Sequence, residues 1–117
     1  MKRDIQERSF GFACRIVALH RLLVAMGHTE RILAGQLLRS GTSIGANLEE
    51  ATAGQSRADF VSKCSIALKD ARETFYWLKL LRATGTQPVA DLEPLSTEAN
   101  ELIAILTTIV RKTRGVS

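Results

Sequence analysis

Histidine and cysteine are the side chains of this sequence best suited to metal binding or acid–base chemistry. His20 and His28 have no cysteine or carboxylate at ligand spacing, and neither follows a glutamate by three residues, as the histidines of di-metal bundles do. Cys14 and Cys64 lie far apart, without the C-x-x-C spacing of a zinc or redox site. The sequence therefore predicts buried thiols, no metal site and no cofactor.

Serine and glycine cluster in the segment Arg39–Ala51. Ser40 and Ser43 have no histidine near them in sequence and no strained strand-to-helix turn, which leaves only the distant His20 as a base for a serine nucleophile. The glycines follow no strand pattern, and no Lys-Ser or Lys-Thr comes after the second one, so the segment does not match a phosphate loop. We predict that the protein is not an enzyme.

The same segment predicts a helix-packing motif. Its residues are Arg39, Ser40, Gly41, Ser43, Gly45 and Asn47. A glycine costs about 1 kcal/mol relative to alanine within a helix, so we expect Gly41 and Gly45 to let a neighbouring backbone approach closely; a bend at Gly41 is the alternative. Arg39, Ser43 and Asn47 share a polar stripe with Glu50, and a half-buried stripe must be hydrogen-bonded, which fixes the register of adjacent helices. Candidate partners further along the chain are Asp59, Lys63, Asp70 and Glu73.

Lysine and arginine offer a different chemistry, which is contact with phosphate groups. The chain has 16 basic and 12 acidic residues, and its net charge of +4 permits nucleic-acid binding without requiring it. The candidate nucleic-acid-binding residues are Arg57, Lys63, Lys69, Arg72, Lys79, Arg82, Arg111, Lys112 and Arg114. Asp70 and Glu73 interleave with them, and the terminal cations also complement a helix dipole, so the pattern fits a solvated surface and a binding surface equally.

Helices must position all of these residues. The first is predicted over Asp4–Met26 from apolar residues three, four and seven apart, with Arg8, Arg15 and Arg21 spread over a solvated surface. The second is predicted to begin at a Thr29 N-cap and to end where Gly54 adopts a left-handed conformation.

The later two helices carry the longest apolar patterns. Ser56 and Asp59 match a capping box at the start of the third helix. Its seam then alternates in steps of four and three residues through Phe60, Cys64, Ala67, Ala71, Thr74, Leu78 and Leu81. The aromatic run Phe75-Tyr76-Trp77 is expected to fill a core or a subunit interface rather than to stack bases. Asp91 is the predicted cap of the fourth helix, whose wide apolar face favours contact with both the bundle and a second copy of the protein.

Four helical patterns, short connections and no strand pattern predict an all-α, up-down-up-down antiparallel four-helix bundle. The length fits a single domain over residues 1–117. No apolar run reaches the roughly 18 residues of a membrane span, and no signal peptide is recognisable at the start. We therefore expect a soluble, cytoplasmic protein with no membrane partner.

Three segments resemble one bacterial family. They are Leu37–Ala51, Ser56–Phe60 and Ser65–Thr74, and the similarity continues through Tyr76–Leu81 to cover nearly the whole chain. Together they resemble the four-helix bundle proteins encoded in intervening sequences of large-subunit ribosomal RNA genes, which are related to the accessory variability protein of diversity-generating retroelements. Many members of that family carry proline where this chain has Gly45, a difference that affects local helix geometry.

The resemblance implies a small bundle that assembles as a ring-like homopentamer, with a positively charged surface that contacts RNA or an RNA-handling partner and with no enzymatic activity. The first hypothesis is therefore a non-catalytic, oligomeric nucleic-acid-binding protein that holds structured RNA through Lys and Arg phosphate contacts. The alternative is an oligomeric scaffold or adaptor that docks a protein partner and does not bind nucleic acid.

Overall fold

The computed structural model describes residues 3–54, 56–85 and 89–115, and within them it contains four α-helices and no strand. The helices are α1 (Arg3–Val24), α2 (His28–Ala53), α3 (Arg57–Thr84) and α4 (Leu92–Thr113). The all-helical prediction is confirmed. The molecule is elongated, with extents of 45 × 24 × 20 Å, because the helices lie side by side along one long axis.

Each helix packs most extensively on its neighbour in sequence, α1 on α2, α2 on α3 and α3 on α4, while α1 and α4 meet along a much thinner interface. The end of α4 lies near the start of α3, where Arg57 Nε donates to the Thr113 carbonyl at 2.9 Å. Gln6 near the start of α1 likewise reaches Glu49 near the end of α2. This arrangement is compatible with an antiparallel four-helix bundle.

The apolar stripes of the four helices form one core. Six of the seven α3 seam residues are buried, and Phe60 at the first position is half-buried. The largest fully buried side chains are Ile5, Phe12, Ile16, Leu19, Leu23, Leu37, Ile44, Leu48, Leu78, Leu95, Leu102 and Leu106. They follow the three- and four-residue spacing of the sequence, because this spacing keeps side chains on one face of a helix.

The helix ends differ from the sequence-based expectations at three positions. Thr29 lies in the first turn of α2, and Gly27 occupies the N-cap position without a side-chain bond. Asp91 occupies the N-cap position of α4 but makes no side-chain capping bond, and its carboxylate pairs with Arg15 at 2.9 Å. Gly54 has φ −64° and ψ 155°, which is an extended and not a left-handed conformation. The Ser56 cap is observed, since its Oγ accepts from the Asp59 backbone N–H at 3.1 Å.

Gly41 permits a close approach between α1 and α2. A Cβ at Gly41 would lie 2.9 Å from both Ile16 Cγ1 and Cγ2 of α1, nearer than carbon atoms can approach. A Cβ at Gly45 would meet Ser9 Oγ at 3.4 Å, an ordinary contact. α2 runs unbroken through both glycines, so close approach at Gly41 explains its presence within the helix.

The wide apolar face of α4 is turned toward the other helices. Ile103, Ile105 and Ile109 pack partly buried against the core. The large apolar side chains left most exposed lie on or next to the other three helices, and they are Phe10, Leu22, Met26, Ile32, Ile66 and Tyr76. Of the two thiols, Cys64 is buried but Cys14 is exposed, contrary to the prediction for Cys14. None of the helices in the described ranges has the length and apolar character of a membrane span.

Candidate nucleic-acid interface

The polar stripe of α2 lies against α3. Asn47 Nδ2 donates to Asp70 Oδ2 at 3.3 Å, and Arg39 forms a salt bridge with Glu73. Asp70 and Glu73 are two of the four candidate partners that the sequence indicates for this stripe. Ser43 Oγ instead bonds within α2, donating to the Arg39 carbonyl at 2.6 Å.

Ser40 belongs to a second, fully buried contact between the same helices. Thr74 Oγ1 lies 2.9 Å from Ser40 Oγ and 2.7 Å from the Asp70 carbonyl. Ser40 Oγ is also 3.5 Å from the Leu37 carbonyl. Among the described residues that are not exposed, no buried side-chain nitrogen or oxygen lacks a hydrogen-bond partner. The polar residues of the motif therefore fix the register of α2 on α3, and their buried hydrogen-bonding groups are satisfied within the protein.

The pKa values of Asp70 and Glu73 are shifted in opposite directions. Burial raises the pKa of Asp70, the nearby charge of Glu73 raises it further, and the charges of Arg39 and Lys69 and the Asn47 hydrogen bond only partly offset this. Burial also acts to raise the pKa of Glu73, but hydrogen bonds from Trp77 and Arg39 outweigh it and hold this pKa below its usual range. Trp77 Nε1 donates to Glu73 Oε2 at 3.1 Å. Both carboxyl groups face α2 and are engaged there.

Arg8 and Arg15 of α1 form salt bridges at the thin interface between α1 and α4. Arg8 Nη2 contacts Glu98 at 2.6 Å and Glu101 at 2.8 Å, and these hydrogen bonds raise the pKa of Arg8 further above its usual value. Arg15 pairs with Asp91. The side chains of Arg8 and Arg15 remain 29% and 42% exposed, in line with a surface position, and each pairs with a carboxylate that is distant in sequence.

Four cations of α3 make no such contacts. Lys69, Arg72, Lys79 and Arg82 are exposed and form no hydrogen bond or salt bridge with any described residue; we call them the α3 basic row. Arg72 and Lys79 are seven residues apart and share one flank of the helix. That flank faces α4, since Ser65, seven residues before Arg72, accepts a hydrogen bond from Arg114. From Lys69 to Arg82 the row spans about 20 Å of helix.

The remaining candidate cations are divided between two places. Lys63 is half-buried on the opposite flank, seven residues before Asp70, and therefore lies apart from the row. Arg111 and Lys112 are exposed in the last turn of α4. The structure thus brings four of the nine candidates into one row and places the others at the α3–α4 end or toward α2.

Arg57 and Arg114 lie at the same end of the bundle, where α3 begins and α4 ends. They border an open groove of about 740 Å³ that is lined by Arg57, Ala58, Val61, Ser62, Ser65, Ile66, Thr113 and Arg114. We call it the Arg57–Arg114 groove. Sequence reasoning missed Ser62 and Ser65 as part of a cationic site, because the spacing within α3 carries no information about which side chains α4 reaches.

Metal ligands do not cluster in this protein: within residues 3–54, 56–85 and 89–115, no three His, Cys, Asp or Glu side chains are grouped so that they could hold a metal ion. The candidate surface therefore consists of cations, hydroxyls and a few apolar side chains. Such groups bind anions by charge and hydrogen bonding.

Comparison with known proteins identifies a family and similar solved structures. Residues 1–108 match the family described as the 23S rRNA-intervening sequence protein. The crystal structure of a protein of unknown function from the S23 ribosomal protein family of Bacteroides thetaiotaomicron VPI-5482 is also similar, with 44% sequence identity and a TM-score of 0.84. The similarity covers 92% of this chain and 98% of that one. No curated protein matches the sequence.

The family match includes the α2 motif, the α3 basic row and Arg57, whereas Arg111, Lys112 and Arg114 lie beyond residue 108. Both matches agree with the resemblance seen in the sequence. This chain belongs to the 23S rRNA-intervening sequence protein family.

Proposed function

We propose that the protein is a non-catalytic, oligomeric nucleic-acid-binding protein that contacts structured RNA through phosphate groups. The observation that carries this proposal is the different use of cations across the fold. Arg8, Arg15 and Arg39 are neutralised by carboxylates, whereas the α3 basic row forms no salt bridge with a described residue. Unpaired, exposed Lys and Arg along one helix are the groups that phosphate contacts need.

The position of the carboxylates supports the same surface. Glu98 and Glu101 turn toward Arg8 of α1, and Glu73 turns toward Arg39 of α2. These three carboxylates are thus each paired with an arginine outside the row, while Lys69 is the member of the row whose charge acts on Glu73. The family description refers to an intervening sequence of 23S rRNA, which makes RNA the first nucleic acid to test.

The test is binding of a structured RNA hairpin, measured by fluorescence anisotropy over a series of KCl concentrations. Arg72→Gln with Lys79→Gln should weaken binding about tenfold or more near 0.1 M salt, and should reduce the slope of log affinity against log salt by about 2, because two phosphate contacts are lost. The matched control is Arg21→Gln with Arg31→Gln, which removes the same charge from exposed positions on α1 and α2.

Two results would contradict the proposal. One is the absence of binding by the wild-type protein at low salt. The other is equal loss of affinity in the row variant and the control, which would mean that net charge alone accounts for binding. Thermal unfolding of each variant checks that the fold is unchanged.

We further propose that the protein works as a homo-oligomer, and a ring-like pentamer is the form that we expect. The exposed apolar side chains support association, since Phe10 on α1 is 71% exposed and Leu22 on the same helix is 59% exposed. The second candidate function rests on the same residues. An oligomeric scaffold or adaptor would use this apolar surface to dock a protein partner, and would show no RNA affinity at low salt.

A further inference from the structure

We infer that the Arg57–Arg114 groove is a phosphate-binding site that holds one phosphate group of the bound RNA more firmly than the α3 basic row does. The inference rests on the proposed function for the identity of the ligand. The support for the site itself is the geometry of the groove at the end of the bundle, which does not depend on the α3 basic row.

The two guanidinium groups at the groove are each held by one protein contact. Arg57 donates through Nε and Nη2 to the Thr113 carbonyl, and Arg114 donates through Nη2 to Ser65 Oγ at 3.0 Å. An arginine has five N–H donors, so each side chain keeps donors for a ligand after it is anchored. Anchoring also reduces the conformational entropy that a flexible surface cation loses on binding.

The groove presents donors to an anion and no acidic side chain. Ser62 and Ser65 add hydroxyl groups beside the two arginines, and no Asp or Glu is among the described residues that line it. Asp59, the carboxylate nearest in sequence, lies toward α2, where its Cβ is 3.1 Å from the position of a Gly54 Cβ. Oxygens with a negative charge and two or more acceptor positions suit this set, as a phosphodiester provides.

The dimensions fit more than an isolated ion. About 740 Å³ lies within the range of small-molecule sites and exceeds the needs of a lone phosphate. Val61 and the partly exposed Ile66 supply an apolar floor beside the arginines. A phosphate between Arg57 and Arg114 would place its attached ribose or base over these two side chains.

The start of α3 and the end of α4, which lie beside the groove, also affect how it binds an anion. The start of α3 carries the positive end of its helix dipole, which favours an anion. The end of α4 would oppose it, but Arg57 occupies the Thr113 carbonyl there. Arg57 therefore offsets the partial negative charge of that carbonyl, which would otherwise disfavour phosphate.

The test is titration of the ¹⁵N-labelled full chain with inorganic phosphate, followed by NMR, with KCl at equal ionic strength as the reference. We expect saturable shifts of the backbone amides of Ser62 and Ser65 and of the Arg57 and Arg114 Nε–H signals. Arg114→Gln should abolish saturation, whereas Arg31→Gln, with the same loss of charge at the opposite end, should leave it unchanged.

RNA binding by the same variants separates this inference from the proposed function. Arg114→Gln should weaken the hairpin complex about fivefold more than Arg31→Gln, and Arg114→Lys, which keeps the charge but not the guanidinium fork, should recover only part of the loss. Normal RNA binding by Arg114→Gln, or phosphate shifts that grow without saturation, would overturn the groove site and leave RNA binding intact. Saturable phosphate binding in a protein without RNA affinity would support the site and overturn the proposed function.

Discussion

Gly41 is the residue at which a single atom decides how closely α1 and α2 can pack. Ile16 is β-branched and fully buried, so its side chain has few conformations in which to make room. The Cγ atoms that a new Cβ would meet are close to the Ile16 backbone and cannot swing away as the end of a long side chain would.

Gly41→Ala should lower the free energy of unfolding by about 1–3 kcal/mol, because the overpacking penalty exceeds the gain in helix propensity of about 1 kcal/mol. Gly35→Ala on the same helix is the matched control: its Cβ would meet nothing within 4 Å, so only the propensity gain applies. Chemical denaturation of both variants measures the difference. Equal stabilisation in the two would show that close packing at Gly41 is unimportant.

Asp70 and Glu73 give the protein two opposing pH dependences. A raised pKa in the folded state means that the contribution of Asp70 to stability falls as pH rises from the usual aspartate pKa, about 3.9, through its folded value. The lowered pKa of Glu73 means that its contribution is present above the usual glutamate pKa and is lost as pH falls through its folded value. The two slopes partly cancel in mildly acid solution.

Asp70→Asn should separate these slopes. The amide oxygen can still accept from Asn47, so the variant should match wild type at a pH below 3.9 and become relatively more stable as pH rises toward neutrality. Glu73→Gln, the paired control, should become relatively less stable over the same interval. Unfolding by denaturant at a series of pH values provides the measurement, and parallel profiles for all three proteins would contradict the linkage.

Individual contacts could be predicted from the sequence only where both partners lie on regular stripes. Asn47 and Asp70 each follow a helical period, so their meeting across α2 and α3 could be expected. Arg8 finds Glu98 across 90 positions of sequence, and no local spacing indicates that pair. Cys14 was expected to be buried but is exposed, because residue type alone does not show whether another helix covers that face of α1.

At the scale of the elements, apolar periodicity specifies the helices more firmly than the sequence specifies their ends. The α3 seam was predictable because every third or fourth residue must face the core. Caps depend on local backbone geometry as well as on residue type. Asp91 shows this, since it occupies the N-cap position of α4 with helical φ and ψ, and its carboxylate pairs with Arg15 instead of capping the helix. The glycine that ends α2 is not in a left-handed turn, and a Cβ at Gly54 would lie 3.1 Å from Asp59 Cβ and 3.3 Å from the Ala51 carbonyl oxygen.

Ser56→Ala should reduce the free energy of unfolding by about 1 kcal/mol, because it removes the bond to the Asp59 backbone N–H at the start of α3. Thr29→Ala serves as its control. Thr29 makes no capping bond, so this change should alter stability by less than about 0.5 kcal/mol. Comparable losses in the two variants would show that Ser56 does not stabilise α3 through its cap.

At the scale of the whole molecule, the cations fall into two groups. Those of the α3 basic row are exposed and form no salt bridge with a described residue, whereas Arg8, Arg15 and Arg39 are neutralised by carboxylates. The sequence predicts the four helices, but it cannot predict this division, because it depends on which cations the neighbouring helices neutralise. It also leaves the Arg57–Arg114 groove undetected, since the groove exists only where two helix ends meet.

Light scattering should give a mass near five times the 12.8 kDa of one chain if the expected pentamer forms. Phe10→Ser with Leu22→Ser should shift this mass toward a single chain, because it removes exposed apolar area. Arg72→Gln with Lys79→Gln changes the opposite kind of surface and should leave the mass unchanged. A single-chain mass for the wild-type protein would exclude the oligomer.

The thin α1–α4 interface has a kinetic consequence. Since every other interface joins helices adjacent in sequence, nearly all the packing can form by closing short loops, and the contact order is low. The protein should therefore fold on the microsecond-to-millisecond timescale of helical bundles. During synthesis on the ribosome, the α1–α2 hairpin can form before α3 is synthesised. The Arg8–Glu98 salt bridge can form only after α4 has been synthesised.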